Sequence, residues 1–250
     1  MLKPKTIHSE ETFIKELKKT EDLLWIAGLK KGDERFTEFC KILFLRLIAE
    51  KENQNIWNDI INNDDKQKIN IINNHLNKLN QKYQLAKYSN NLKLKSEYHL
   101  DIVNKICSQL NQIDFKNTSL DVSGGAFEYF LGYRGLNDDL AQYFTPCNII
   151  RFMCDLVVPK PGEKIYDPFC GSGGVFINAF EYVKNQINSE DATTLKSLKE
   201  ASIYGTDINT IAYVAKMNMI LAGDAHTNII HQQDGSLVNG RQRSPLYREI

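Results

Sequence analysis

The fold is decided by one stretch of the sequence, Lys164-Ile165-Tyr166-Asp167-Pro168-Phe169-Cys170-Gly171-Ser172-Gly173-Gly174. Its first residues predict a short strand, and a helix is predicted after the glycines from apolar residues at helical spacing, Val175, Phe176, Ala179, Phe180 and Val183. Small residues in such a turn let the backbone approach a ligand, and the N–H groups at the start of the helix face it. The order of strand, glycine-rich turn and helix therefore predicts an α/β fold with a ligand site at the turn.

The spacing of the glycines excludes two common nucleotide-binding motifs. Counting from Gly171, the dinucleotide motif Gly-x-Gly-x-x-Gly requires a glycine where Phe176 stands, and the sequence contains no phosphate-binding P-loop. Asp167 closes the strand just before the glycines, and a carboxylate there would repel a pyrophosphate but attract an ammonium group. S-adenosylmethionine carries such an ammonium group, and we predict it as the cofactor.

Two further acids follow predicted strands. The run 202–207 predicts a strand that ends at Asp207, a helix is predicted over 210–222, and the run 228–231 predicts a third strand before Asp234. An acid at the end of the second strand holds ribose hydroxyls in nucleotide-binding α/β folds, so we assign Asp207 to a ribose and Asp234 to an adenine amino group. Taken singly, each of these two acids is better explained as a helix cap or a turn residue. Three acids after three successive strands nevertheless indicate a cofactor site.

The segments around this core are predicted from capping and turn residues. Thr145 and Pro146 predict the start of a helix, with Thr145 as the capping hydroxyl and the proline in the first turn, and Pro159 should lie beyond its end. The predicted apolar face of this helix is formed by Ile149, Ile150, Phe152, Met153, Leu156 and Val157. The run 126–132 predicts a short aromatic helix, and the polar stretch 185–199 is predicted to be a loop.

The first half of the chain is predicted to be α-helical. Apolar residues recur at helical spacing over 10–51, which predicts two or three helices, and again in the asparagine-rich stretch 53–91. A further helix is predicted over 97–110. We therefore expect an α-helical domain at 1–122, followed at 123–250 by a Rossmann-like α/β domain.

The composition excludes several classes of protein and partner. Lys and Arg together number 31, as do Asp and Glu, so no net positive charge indicates nucleic acid by itself. The five cysteines form no Cys-x-x-Cys pair and the histidines have no metal-ligand spacing, so we expect reduced thiols and no bound metal. Because the sequence shows neither a signal peptide nor an apolar run long enough to cross a membrane, we expect a cytoplasmic protein.

The glycine loop and the preceding Gln142-Tyr143-Phe144-Thr145-Pro146 resemble the modification (M) subunit of type I restriction–modification systems, a family of N6-adenine DNA methyltransferases. The resemblance implies a Rossmann-like methyltransferase fold of the α/β class. It also implies site-specific transfer of a methyl group from S-adenosylmethionine to adenine N6 in double-stranded DNA, with a specificity (S) subunit and a restriction (R) subunit as partners. The cofactor-binding residues that it implies are Phe144, Thr145, Asp167, Gly171, Ser172, Gly173, Asp207 and Asp234.

The sequence departs from this family by lacking its catalytic motif. The family holds the flipped adenine with a tetrapeptide, Asn/Asp-Pro-Pro-Tyr/Phe, but none of the six prolines here is adjacent to another. We therefore assign no catalytic residue, and we expect only the first half of the methyltransferase core, in a chain that is truncated relative to the active enzyme. The alternative is a non-catalytic S-adenosylmethionine-binding or assembly subunit. A methyltransferase of RNA or protein would share the glycine loop, but the segment upstream of it favours the DNA enzymes.

Overall fold

The computed structural model describes residues 9–29, 33–52, 55–83, 85, 91–115, 145–207, 211–224 and 228–231. The chain divides into two compact units, Met1–Gln142 and Tyr143–Ile250. The boundary that we predict between residues 122 and 123 lies outside the described residues and stays a prediction. The aromatic helix predicted over 126–132 also lies outside them.

The described part of the first unit is helical, as the apolar spacing predicts. Its helices are α1 (Glu10–Ile26), α2 (Asp33–Lys51), α3 (Ile56–Asn62), α4 (Lys68–Tyr83) and α5 (Ser96–Asn111), with a 3₁₀ turn at Asp65–Gln67 before α4. Ser9 caps α1, because its hydroxyl oxygen accepts a hydrogen bond from the N–H of Thr12 (3.3 Å). The helices bury a core of aliphatic and aromatic side chains that includes Phe13, Leu24, Phe39, Phe44 and Ile72.

The second unit contains a parallel sheet with helices between its strands. Its described elements are α6 (Cys147–Val157), β1 (Ile165–Asp167), α7 (Gly174–Lys184), α8 (Ala192–Ala201), β2 (Ile203–Asp207), α9 (Ile211–Ala222) and β3 (Asn228–His231). The described strands lie in the order β1-β2-β3, with Tyr166 opposite Tyr204 and Gly205 opposite Ile229. This alternation of helices with parallel strands confirms the predicted α/β fold class.

The prediction of a loop over 185–199 is wrong for its second part, which begins α8. The side chain of Asp191 caps this helix by accepting a hydrogen bond from the N–H of Thr194 (3.0 Å). Hydrogen bonds from the hydroxyl and the N–H of Thr194 also lower the pKa of Asp191. Leu198 is the buried residue of the helix. Because α8 is short and mostly polar, its apolar spacing is too brief to predict a helix.

The start of α6 also differs from the prediction. Pro146, rather than Thr145, stands at the capping position, and no side-chain oxygen caps the helix. The extended ψ of Pro146, 139°, keeps this residue outside the helix, and its carbonyl accepts hydrogen bonds from the N–H groups of Ile149 and Ile150. The helix ends at Val157, within the limit that the sequence predicts.

The predicted apolar face of α6 is only partly buried. Ile150 and Cys154 pack against Ala179 of α7. The other apolar side chains of the helix are largely exposed, Phe152 by 58% and Val157 by 75%. Through Ile150 and Cys154, α6 therefore makes a narrow contact with α7, and a broad apolar surface stays exposed.

Gly205 in β2 lies against the ring of Phe176, a fully buried residue of α7. A Cβ atom at position 205 would overlap with Cζ of Phe176 and would lie 3.2 Å from the carbonyl oxygen of Asp167. Carbon atoms that are not bonded to each other do not approach so closely, so the packing of α7 on the sheet requires glycine at this position.

We expect Gly205→Ala to lower the free energy of unfolding by about 2 kcal/mol, because overpacking forces buried groups apart. Urea unfolding followed by circular dichroism measures the change. Adding Phe176→Leu, which removes the clashing ring, should recover part of the loss when the double variant is compared with Phe176→Leu alone. An unfolding midpoint for Gly205→Ala equal to that of the parent chain would contradict this packing.

Three observations bear on membranes, metals and thiols in the described part of the chain. No helix there combines the length and the apolar character needed to span a membrane. No group of three or more His, Cys, Asp and Glu side chains in those residues could hold a metal ion. Burial raises the pKa of the Cys107 thiol to about 12, so this side chain stays protonated and unreactive at neutral pH.

Candidate cofactor-binding site

The loop between β1 and α7 is tied to the end of β2. The N–H of Cys170 donates to the carbonyl of Thr206 (3.0 Å), and the hydroxyl of Thr206 donates to the carbonyl of Pro168 (2.9 Å). Thr206 itself is buried. The loop therefore has a fixed backbone at the carboxyl edge of the sheet, where ligands bind in folds of this class.

Two glycines of the loop adopt left-handed backbone conformations. Gly171 has φ 53° and its N–H donates to Oδ2 of Asp207 (2.9 Å), which adds a third bond between the loop and β2. Gly173 has φ 87°, and a Cβ atom there would lie 3.2 Å from Cβ of Ala215 in α9. Residues with a side chain rarely adopt such a φ, so glycine at 173 lets the start of α7 approach α9.

Asn218 of α9 holds the loop from a second direction. Its side-chain Nδ2 donates to the carbonyl of Ser172 (2.8 Å), and both residues are buried. Neither Asn218 nor Thr206 was predicted from the sequence. The available signal at Asn218 is a single amide between two methionines in a mostly apolar helix, because a polar side chain buried in such a helix needs a hydrogen-bond partner.

We expect Asn218→Ala to lower the free energy of unfolding by about 2 kcal/mol, because it leaves the buried carbonyl of Ser172 without its donor. Asn178→Ala is the matched control. Asn178 also donates its side-chain amide to a backbone carbonyl, that of Gly174 (2.9 Å), but it is only half-buried. Urea unfolding of both variants measures the difference, and equal losses would contradict a special role for Asn218.

Two carboxylates stand at the ends of neighbouring strands. Asp167 ends β1 and Asp207 ends β2. Burial raises the pKa of Asp167, and the negative charge of Asp207 raises it further, while a hydrogen bond from the N–H of Phe169 to Oδ1 (2.9 Å) acts in the opposite direction. The two acids therefore create a negative potential beside the glycine loop, which suits a ligand with a positive charge.

The thiol of Cys170 takes no part in this chemistry. The residue lies within the loop but is buried, and burial together with the charges of Asp207 and Asp167 raises the pKa of its thiol far above the ordinary value. The thiolate is the nucleophilic form of cysteine. Cys170 therefore serves the packing of the loop rather than a covalent step.

The structure brings together five of the eight predicted cofactor-binding residues, namely Asp167, Gly171, Ser172, Gly173 and Asp207. Thr145 is described and exposed, and among the described residues no hydrogen bond joins it to the loop. Phe144 and Asp234 lie outside the described residues. The predicted contacts of all eight with a cofactor stay predictions.

About half of the sequence, including most of the second unit, matches a known family. Residues 118–245 match the family described as N-6 DNA Methylase. The type I restriction enzyme EcoEI methylase subunit of Escherichia coli is 31% identical over 126 residues, which cover 49% of this chain and 25% of that protein. The resemblance to type I modification subunits is thereby confirmed. The chain spans about a quarter of the length of this curated relative.

Two solved structures share the fold. One is a chain from a study of complex assembly and conformational transition of the type I R-M system. Its alignment covers 90% of this chain and 51% of that chain, with a TM-score of 0.61 and 20% identity. The other is the type I restriction-modification system methyltransferase subunit from Streptococcus thermophilus. Its alignment covers 92% of this chain and 60% of that chain, with a TM-score of 0.60 and 15% identity. At these identities the likeness concerns the fold alone, and it confirms the predicted methyltransferase fold class.

Proposed function

Because the chain belongs to the N-6 DNA methylase family, we propose that it holds the S-adenosylmethionine site of an adenine-specific DNA methyltransferase, the modification subunit of a type I restriction–modification system. The observation that carries this proposal is the pair of acids, Asp167 and Asp207, beside a glycine loop that is hydrogen-bonded to the sheet. The proposed reaction transfers a methyl group to N6 of adenine in DNA. Since the chain spans about a quarter of the curated relative reported above, the activity of the whole enzyme is part of the proposal.

The loop residues fit this cofactor by charge and by hydrogen bonding. We assign the ammonium group to Asp167, whose charged form is disfavoured by burial and by Asp207 and would be stabilised by a cation. The ribose hydroxyls are assigned to Asp207, because a carboxylate offers about four acceptor positions and can serve Gly171 as well as a ribose. The N–H groups at the start of α7 suit the methionine carboxylate.

The remaining assignments complete the proposed site. Phe144 and Thr145, together with Ser172 and Gly173, are assigned to the methionine part, and Asp234 to the adenine amino group. When bound, S-adenosylmethionine supplies a methyl group activated by its sulfonium. The residues of this chain hold the cofactor in one orientation, and such positioning lowers the entropic cost of a reaction between two bound molecules.

The proposed partners follow from the same family. Relatives of this chain are methylase subunits of type I restriction enzymes, and a similar fold occurs in a chain from a structural study of the type I R-M system. We therefore propose double-stranded DNA, a specificity subunit and a restriction subunit as partners. A protein that modifies chromosomal DNA in this way would work in the cytoplasm.

A second candidate function is a non-catalytic cofactor-binding or assembly subunit. The observation that favours it is the lack of an Asn/Asp-Pro-Pro-Tyr/Phe tetrapeptide in this sequence. Incubation of the chain and its specificity subunit with duplex DNA and S-adenosylmethionine labelled in the methyl group separates the two functions. Label in the DNA supports the enzyme, and cofactor binding without label supports the second candidate.

Titration calorimetry tests the cofactor itself. We expect the 250-residue chain to bind one S-adenosylmethionine and to give no heat with NAD, because its glycine spacing does not suit a pyrophosphate. Binding of NAD, or failure to bind S-adenosylmethionine, would contradict the proposed function.

A further inference from the structure

Phe169 is an exposed aromatic residue in the glycine loop. Its side chain is 68% exposed, whereas the rings of Phe176 and Phe180 in the adjoining α7 are fully buried. Fully burying a phenylalanine side chain stabilises a fold by about 1.5–3 kcal/mol, so the exposed ring of Phe169 leaves most of this stabilisation unused. An exposed ring at the carboxyl edge of the sheet is therefore placed where a ligand can cover it.

The backbone at Phe169 is fixed on both sides. Its N–H donates to Oδ1 of Asp167 (2.9 Å). Of its two chain neighbours, Pro168 accepts a hydrogen bond from the hydroxyl of Thr206, and Cys170 donates one to the carbonyl of Thr206. The ring thus extends from a rigid backbone, and a ligand does not have to order this part of the loop before contacting it.

The polar groups of the site leave one part of the proposed ligand without a partner. Asp167 suits the ammonium group, Asp207 suits the ribose, and the start of α7 suits the carboxylate. The flat face of the adenine ring is apolar and needs an apolar or aromatic neighbour. Of the other apolar side chains in the loop, Cys170 is buried and Pro168 is half-buried, and the serine and glycines offer little apolar surface.

We propose that Phe169 is a cofactor-positioning residue whose ring packs against the adenine of the adenosyl group. The inference rests on the proposed function, because it names a further contact in the same site. Stacking of a base on an aromatic side chain is sequence-tolerant and strong, since every base presents a π-face. With the ammonium group bound by Asp167 and the adenine packed against Phe169, S-adenosylmethionine is held at two separate groups.

The test measures binding of two ligands by calorimetry to the 250-residue chain. S-adenosylhomocysteine shares the adenosyl group with S-adenosylmethionine but lacks the positive sulfonium. We expect Phe169→Ala to weaken both ligands about tenfold, in the range of base–aromatic stacking. Phe169→Trp should keep the affinity for both. Phe152→Ala is the matched control, because Phe152 is similarly exposed but lies on α6.

Two further readouts separate a contact from a structural role. The melting temperature without ligand should be the same for Phe169→Ala and the parent chain, because the side chain is exposed. In Phe169→Trp, the added fluorescence should be quenched when S-adenosylhomocysteine binds, as expected for an indole stacked on a base.

Each outcome has a definite meaning. Unchanged affinity of Phe169→Ala for both ligands would overturn the inference and leave the proposed function standing. A loss for S-adenosylmethionine alone would place the ring at the charged sulfonium and overturn the adenine contact. If the parent chain binds neither ligand, the proposed function fails, and the inference fails with it.

Discussion

Asp167→Asn is expected to weaken S-adenosylmethionine binding by about ten- to a hundredfold, because a hydrogen bond to a charged group is worth about 1.5–3 kcal/mol. The substitution removes the negative charge and keeps the shape of the side chain. The amide oxygen of asparagine can still accept the hydrogen bond that the N–H of Phe169 gives to Asp167. The loss of affinity therefore reports the charge and not a collapse of the loop.

The same substitution is expected to leave the unliganded protein as stable as the parent chain or more stable. Burial and the charge of Asp207 raise the pKa of Asp167, so the fold favours its protonated form. The stabilising contribution of this group is fully present below its unfolded pKa and is lost as the pH rises through the higher folded pKa. At neutral pH the charged Asp167 thus lowers the stability of the fold, and asparagine removes that cost.

Melting curves of the parent chain and Asp167→Asn between about pH 3 and pH 7 check the stability, and calorimetry at pH 7 checks the affinity. The melting temperature of the parent relative to the variant should fall as the pH rises from the ordinary carboxyl pKa of about 4 through the raised pKa. Asp155→Asn, an exposed acid on α6, is the control and should change neither quantity. A variant that binds the cofactor as well as the parent would refute the ammonium contact.

Asp207→Ala is expected to have the second large effect, about a hundredfold loss of affinity for S-adenosylmethionine. It removes the proposed acceptor of the ribose hydroxyls and also the acceptor of the Gly171 N–H. Removal of the Asp207 charge relieves its repulsion of the Asp167 carboxylate. Against this, the Gly171 N–H loses its acceptor, which costs about 1–3 kcal/mol where no water replaces the carboxylate. The net effect on the unliganded protein should therefore be small, while the effect on binding should be large.

Asp207→Asn separates the two roles of this residue. Its amide oxygen can accept from Gly171 and keep the loop in place, but it offers fewer acceptor positions for two hydroxyls. We expect an affinity between those of Asp207→Ala and the parent chain. Calorimetry on all three proteins measures the order, and normal binding by Asp207→Ala would disprove the ribose assignment.

The elements that the sequence predicts well are those with strong local patterns. β1 and β2 begin with Ile-Tyr, β3 contains two adjacent isoleucines, and α7 follows a cluster of glycines, so neighbouring residues are enough to identify them. α8 was missed because its apolar pattern is short. At α6 the sequence places a proline near the helix start, but whether Pro146 is the cap or the first residue depends on its ψ, which composition does not reveal.

In the candidate site, too, some features are predictable from the sequence and others are not. Asp167 and the glycines are predictable because they are adjacent in sequence, and Asp207 because it ends a strand. That Asp207 also holds the N–H of Gly171, and that Asn218 holds the carbonyl of Ser172, depends on how α7 and α9 pack. No pattern along the chain contains such contacts, since they arise only when separate elements meet.

The hydrogen bonds that hold the glycine loop affect when the loop can fold during protein synthesis. They join residues 36, 38 and 46 positions apart along the chain. Contacts of such sequence separation form late in folding, because the entropy of closing a long segment is lost before any bond compensates it. On the ribosome, the glycine loop is made well before Thr206, Asp207 and Asn218 emerge. A nascent chain can therefore complete these three hydrogen bonds only after Asn218 has left the exit tunnel.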